Sequence, residues 1–190
     1  MNEPTLVKRI IVGISGASGI IYGVRLLEAL NTLDIETHLV ITQMGQLTRA
    51  YETPYSQADL KDLASVYHPW RDLTASIASG SFPTMGMVVA PCSMKTLAEI
   101  AHGLGGHLLS RAADVVLKER RRLVLMVREA PLNLAHLQNM VQVTQMGGII
   151  FPPVPAFYHH PQSIDEIIED QIGRVLDLFG IENDLAKRWE

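Results

Sequence analysis

Residues 7–31 read VKRIIVGISGASGIIYGVRLLEALN, and this stretch decides the fold class. Val7–Ile14 is a nearly continuous apolar run rich in β-branched residues, the pattern of a strand covered on both faces. Gly13-Ile14-Ser15-Gly16-Ala17-Ser18-Gly19 then turns the chain straight into Ile20–Asn31, whose apolar residues recur at helical spacing. A buried strand feeding an amphipathic helix through a tight turn is the opening of a βαβ unit. The alternation continues outward. Ile35–Thr42, Gly86–Ala90, Leu123–Arg128 and Gly148–Phe151 read as further short strands. Gln57–Val66, Lys95–Ala101, Leu108–Arg120, Leu134–Met146 and Ile164–Phe179 read as helices, the last opened by the capping-box pair Ser163 and Glu166. With no repeat and no low-complexity linker, the expectation is a single α/β domain over residues 1–190, three layers deep, with right-handed crossovers.

Composition narrows the function classes. Hydrophobic residues make up 47% of the 190 and charged residues 19%, which excludes disorder as the main state. Sixteen Lys and Arg against twenty Asp and Glu give a net charge of −4 with no basic block, so a long nucleic-acid backbone is not the partner. The one cysteine, Cys92, rules out an internal disulfide framework and suits a reducing cytoplasm. No segment reads as a signal peptide or membrane span. Residues 130–164 hold no Asp, Glu, Lys or Arg but five prolines, which places them in the interior or on a surface buried against other subunits.

Ligands of open α/β sheets sit beyond the carboxyl ends of the strands, so the unusual residues are sought there. The loop Gly13–Gly19 lets a backbone approach a ligand, and the helix behind it offers N–H groups to a phosphate. Its spacing matches neither the dinucleotide fingerprint nor a Walker A loop. Ile41-Thr42-Gln43 stands where an acidic ribose ligand is expected, which points to a mononucleotide or another phosphate, or simply to tight strand–helix packing. A second such loop is Ala90-Pro91-Cys92-Ser93-Met94-Lys95-Thr96, where an ordinary N-cap by Ser93 and a solvated Lys95 are the plain alternative. Cys92 has no His or Asp at supporting spacing and reads as packing. Arg128-Glu129-Ala130-Pro131 and the Pro-rich run Phe151–Tyr158 complete four loops on one sheet edge. Seven histidines offer no metal-ligand spacing, and Glu52, Asp170, Arg174 and Asp177 read as helix-surface charges.

GISGASG at 13–19, PCSMKT at 91–96, RAADVVLKERR at 111–121, VLMVREAPL at 124–132 with HLQNM at 136–140, and PAFYHHPQS at 155–163 stand in one order. Together they resemble the UbiX-type flavin prenyltransferases from about Lys8 to Trp189. That resemblance implies a Rossmann-like, flavodoxin-type fold with a mainly parallel sheet, and a cytoplasmic homo-dodecamer with sites at subunit contacts. It implies an enzyme that joins a dimethylallyl group, from dimethylallyl phosphate, to N5 and C6 of reduced FMN without a metal. The product, prenylated FMN, would serve a UbiD-type decarboxylase in ubiquinone synthesis or aromatic acid decarboxylation. By the same resemblance, flavin contacts fall on Gly16, Ala17, Ser18, Thr42, Ser93, Met94, Lys95, Thr96 and Arg128. Donor-phosphate contacts fall on Tyr158, Arg174, Arg111 and Lys118, and the chemistry on Ser18, Glu52, Glu129 and Lys118. Thr42 replaces a common serine but keeps its hydroxyl, and no tryptophan stands near Ser79-Gly80-Ser81 to wall the prenyl pocket. Two alternatives share the fold. One is an FMN-dependent decarboxylase of the related cysteine-decarboxylase group, whose PxMNxxMW-like motif is replaced here by Pro131-Leu132-Asn133-Leu134-Ala135-His136. The other is an electron-carrying flavodoxin, whose flavin is wedged between loop aromatics that these loops lack.

Overall fold

Side chains that alternate along each strand build two cores, one on each face of the sheet. The structure, a computed structural model, describes residues 8–188; Val7 and Trp189 lie outside them. In chain order the elements are β1 (Arg9–Ile14), α1 (Ile20–Thr32), β2 (Glu36–Ile41), α2 (Gln43–Glu52), α3 (Gln57–Leu63), β3 (Val66–His68) and β4 (Gly86–Cys92). Then come α4 (Met94–Ala101), α5 (Leu108–Lys118), β5 (Arg122–Val127), α6 (Leu134–Gln145), β6 (Ile149–Ile150) and α7 (Ile164–Leu178). Short 3-10 turns stand at Ser76–Ala78 and Phe157–His159. All five strand pairings are parallel, in the order β3-β2-β1-β4-β5-β6. The winding reverses between β1 and β4, and that reversal opens a crevice at the carboxyl edge.

Ile10, Val12 and Ile14 of β1 pack with Leu26, Leu27 and Leu30 of α1 and Ile172 and Val175 of α7. Ile11 faces the other way, into a core with Met87 and Val89 of β4, Leu97 of α4 and Leu109 and Val116 of α5. The parallel, doubly covered sheet is the three-layer single-domain architecture that the apolar runs predict.

Two elements escape the sequence reading. The helix expected over 57–66 stops at Leu63, and Val66 opens β3, paired to β2 through His38 and Val66. Three residues are too few to show a strand period. α2 is also unannounced, because its only buried residue is Gly45 and it carries no apolar stripe into the core. Residues 130–164 are mostly not interior, although Val143 is buried in the core beside α5. Leu134, Leu137 and Val141 of α6 are 69%, 47% and 56% exposed, and Phe157 is 70% exposed, so a large apolar surface lies open on the single chain. Among the described residues no helix is long and apolar enough to cross a membrane.

Candidate functional site

The parallel sheet delivers the loops after β1, β2, β4 and β5 to one edge. Thr42 caps α2, its hydroxyl accepting from the Gly45 N–H at 3.0 Å, while its own N–H donates to the Ile14 carbonyl at 2.9 Å. This locks the start of α2 onto the β1 loop. A Cβ at Gly16 would fall 2.4 Å from the Cβ of Met44, so only glycine lets loop and helix approach this closely. The Arg128 N–H donates to the Cys92 carbonyl at 3.1 Å and ties the β5 loop to the β4 loop.

The N-terminus of α1 is not the open phosphate site that its glycines suggest. Gly19, with φ at 102°, supplies no side-chain cap. The carboxylate of Glu52 accepts from Gly19 N–H at 2.8 Å and Ile20 N–H at 3.2 Å, so the anion on this helix dipole belongs to the protein. Glu52 is therefore a clasp from the end of α2, not a loose surface charge. Partial burial pushes its carboxyl up. A hydrogen bond from Ser18, the two amides and the charge of Arg128 together outweigh that and hold it below its ordinary value. Ser18, Glu52 and Arg128 form one electrostatic group.

α4 offers the second helix start. Ser93 Oγ accepts from the Thr96 N–H at 3.3 Å and donates to Thr96 Oγ1 at 3.2 Å. The amides of Met94 and Lys95 open the helix and have no intrahelical carbonyl to meet, which suits an anion. The Lys95 ammonium is largely solvated, 3.8 Å from Glu99, so the plain N-cap and an open helix start coexist here. Thr96 is buried and supports the turn from behind. Cys92 is fully buried; desolvation first, then the charge of Glu99, push its thiol far up, so it supplies no thiolate.

One chain does not bring the remaining predicted residues together. Tyr158 stands in the 3-10 turn after β6, at the same edge and 58% exposed. Glu129 is exposed and accepts from the Ala130 N–H at 3.0 Å. Arg111 pairs with Asp114 at 2.8 Å and donates to the Ala78 carbonyl. Lys118 pairs with Glu119 beside Gly80, at the end of α5, where β5 is about to begin. Arg174 pairs with Asp177 at 3.0 Å near the end of α7, whose C-cap Phe179 lies 6.0 Å from the Arg122 guanidinium at the start of β5. Lys118 and Arg174 thus lie toward the amino edge of the sheet, away from the loops after β1, β2, β4 and β5. Near Ser79–Ser81 the aromatic Phe82 points inward, edge-on to His38 and under Arg9.

The edge fits FMN on its donor set: a glycine-lined loop, the hydroxyls of Ser18, Thr42 and Ser93, the open turn of α4 and a guanidinium. Arg128 makes no ion pair within 4.0 Å among the described residues, which leaves it available to a ligand anion. Among those residues no cluster of three or more His, Cys, Asp or Glu is placed to hold a metal.

Residues 2–176 match the family model described as Flavoprotein. The chain is 57% identical over 185 residues to the flavin prenyltransferase UbiX of Neisseria meningitidis, covering 97% of this chain and 98% of that one. Its fold superposes with a TM-score of 0.95 on AnUbiX (PadA1) in complex with FMN and dimethylallyl pyrophosphate, at 49% identity and covering 96% and 97% of the two chains. A dodecameric FMN-dependent UbiX-like decarboxylase from Escherichia coli O157:H7 gives 0.93 at 50% identity, covering 96% and 99%. With half or more of the residues identical over nearly the full length of both chains, this chain belongs to the flavoprotein family, among the UbiX flavin prenyltransferases.

Proposed function

We propose that this chain joins a dimethylallyl group from dimethylallyl phosphate, or its pyrophosphate, to N5 and C6 of reduced FMN, making prenylated FMN for a UbiD-type decarboxylase. The observation that carries the reading is the pairing of near-full-length kinship to UbiX with a carboxyl-edge cradle that has no thiolate nucleophile. Reduced FMN, when bound, supplies the electron-rich atoms that take the prenyl group. The backbone of Gly16 and Ala17 and the hydroxyls of Ser18 and Thr42 hold it from the β1 and β2 side. Ser93, Met94, Lys95, Thr96 and Arg128 hold it from the β4 and β5 side. Loss of phosphate from an allylic carbon builds negative charge on the leaving oxygens, and Arg111, Lys118, Tyr158 and Arg174 supply preorganised donors for it. Lys118 and Arg174 sit away from the cradle of their own chain, so neighbouring copies deliver them. The exposed apolar surface of α6 and of the segment after β6 is the face on which a homo-oligomer, a dodecamer by kinship, assembles. Glu52, ionised at neutral pH and bound to Ser18, accepts the proton released as the ring closes, with Glu129 beside Arg128 as the second carboxylate. A single buried thiol is consistent with work in the cytoplasm.

The test incubates purified protein with reduced FMN and either donor, and passes the small-molecule fraction to an inactive UbiD-type apoenzyme. Recipient activity appears only when a prenyl donor was present. Release of CO₂ from an aromatic acid by this chain alone would support the decarboxylase alternative instead.

A further inference from the structure

We infer that Ser15 is a positioning residue that sets the spacing between the two halves of the flavin cradle; the inference rests on the proposed FMN site. Ser15 immediately follows β1 and has 0% exposure, so it is out of reach of any ligand. Its hydroxyl donates to the Pro91 carbonyl at 2.9 Å and accepts from the Ser93 N–H at 2.8 Å. Its own N–H reaches the same Pro91 carbonyl at 3.2 Å. One side chain thus holds the β1 loop to both sides of Cys92, across 76 and 78 residues of sequence.

The amide it satisfies is a particular one. Ser93 is the N-cap of α4, and no helical carbonyl is available to its N–H. Ser93 in turn holds Thr96 through its own Oγ. The bonds form a series, from the Pro91 carbonyl through the Ser15 hydroxyl and the Ser93 amide to the first turn of α4. Ser15 therefore fixes where the open amides of Met94 and Lys95 stand relative to Gly16 and Ala17. Alanine at 15 would strand a buried amide, which is costly enough that the turn moves to find another partner. The two loops would keep their own conformations and lose their register.

The experiment measures FMN affinity by quenching of flavin fluorescence, well below the melting temperature, for wild type and three variants. Ser15→Ala should weaken FMN about tenfold or more, the scale of one stranded buried hydrogen-bonding group. Ser15→Thr, which restores the hydroxyl, should return within about threefold. Thr37→Val removes another buried hydroxyl, one that accepts from the Ser65 N–H at 3.0 Å near the start of β2, far from the cradle. It should lower the melting temperature and leave FMN affinity unchanged. The inference is overturned if Ser15→Ala binds FMN within twofold of wild type, if Thr37→Val loses affinity in parallel, or if Ser15→Thr is as impaired as Ser15→Ala. Should Ser15→Ala not fold, Ser15→Cys, with a weaker donor, takes its place under the same criteria. Wild type that binds no FMN would instead sink the flavin reading itself.

Discussion

At the scale of single residues, the side chains of the site differ in how fully their own chain satisfies them. Glu52 is committed to the amides of α1 and to Ser18, whereas Arg128 has no close ion pair among the described residues. Arg174 is intermediate. Its partner Asp177 is also held by Arg188 at 2.9 Å and by Asn183 at 3.2 Å. The hydrogen bond from Arg188, ahead of its charge and that of Arg174, keeps the Asp177 carboxyl below its ordinary value. With that carboxylate satisfied by others, Arg174 is able to leave it for a phosphate at small cost. Arg174→Ala should therefore raise the KM of the prenyl donor about tenfold to a hundredfold, the worth of a charge-assisted contact, and leave FMN affinity within twofold. Equal loss of both affinities would show that Arg174 does not serve the donor.

At the scale of elements, α1 shows how a packing detail places the loop between β1 and α1. A glycine inside a helix costs about 1 kcal/mol relative to alanine, so Gly23 needs a reason. A Cβ there would lie 2.4 Å from the Ala90 carbonyl oxygen and 2.8 Å from Ile14 Cδ1. α1 is thereby seated directly on the ends of β1 and β4, the two strands that open the crevice. Gly23→Ala should destabilise the protein by about 1–3 kcal/mol despite its better helix propensity, because the helix must lift off the sheet. Denaturant unfolding checks this, and a gain in stability would refute the close seating. The lifted helix also carries Gly19 away from Glu52, so FMN affinity should fall with stability in this variant.

At the scale of the whole molecule, a polar network crosses three strands under the loop that joins β3 to β4. Arg9 Nε donates to Glu36 Oε1 at 2.8 Å, the same carboxylate holds His38 Nε2 at 2.7 Å, and His38 Nδ1 shares a hydrogen bond with His68 Nε2 at 2.8 Å. Burial lowers both histidines below their ordinary 6.5; Glu36 pulls His38 back up, Arg9 opposes it, and His68 feels the charge of His38 against that of Asp72. The folded state therefore binds fewer protons than the unfolded chain below pH 6.5. Stability from these histidines is full above that pH and is lost as pH falls toward their depressed folded values. Carboxylates act in a lower window. Glu36 is lowered chiefly by the hydrogen bond from Arg9, and Asp177 by that from Arg188, so their contributions disappear as pH falls below the ordinary carboxylate range. The melting temperature should decline in two stages from pH 8 to pH 3, and His68→Asn should flatten the upper stage. A flat profile between pH 7 and pH 5.5 would contradict the buried, neutral pair.

Local pattern suffices for the layered α/β fold, because doubly buried parallel strands must be nearly continuous in apolar residues and covering helices must carry a stripe. It also marked the loops after β1, β4 and β5, because small residues and helix starts at strand ends leave a local signature, and five ordered motifs identified the family. The rest depends on contacts between segments distant in the chain. β3 is three residues long and α2 buries only Gly45, so neither has a period to read. The capture of the α1 N-terminus by Glu52 joins residues 33 apart, and the Ser15 bridge joins residues 78 apart. The placement of Lys118 and Arg174 away from the carboxyl-edge loops follows from helices that return antiparallel to the sheet. Such pairings depend on which strand lies beside which, and that order is set by packing in three dimensions rather than by local residue pattern.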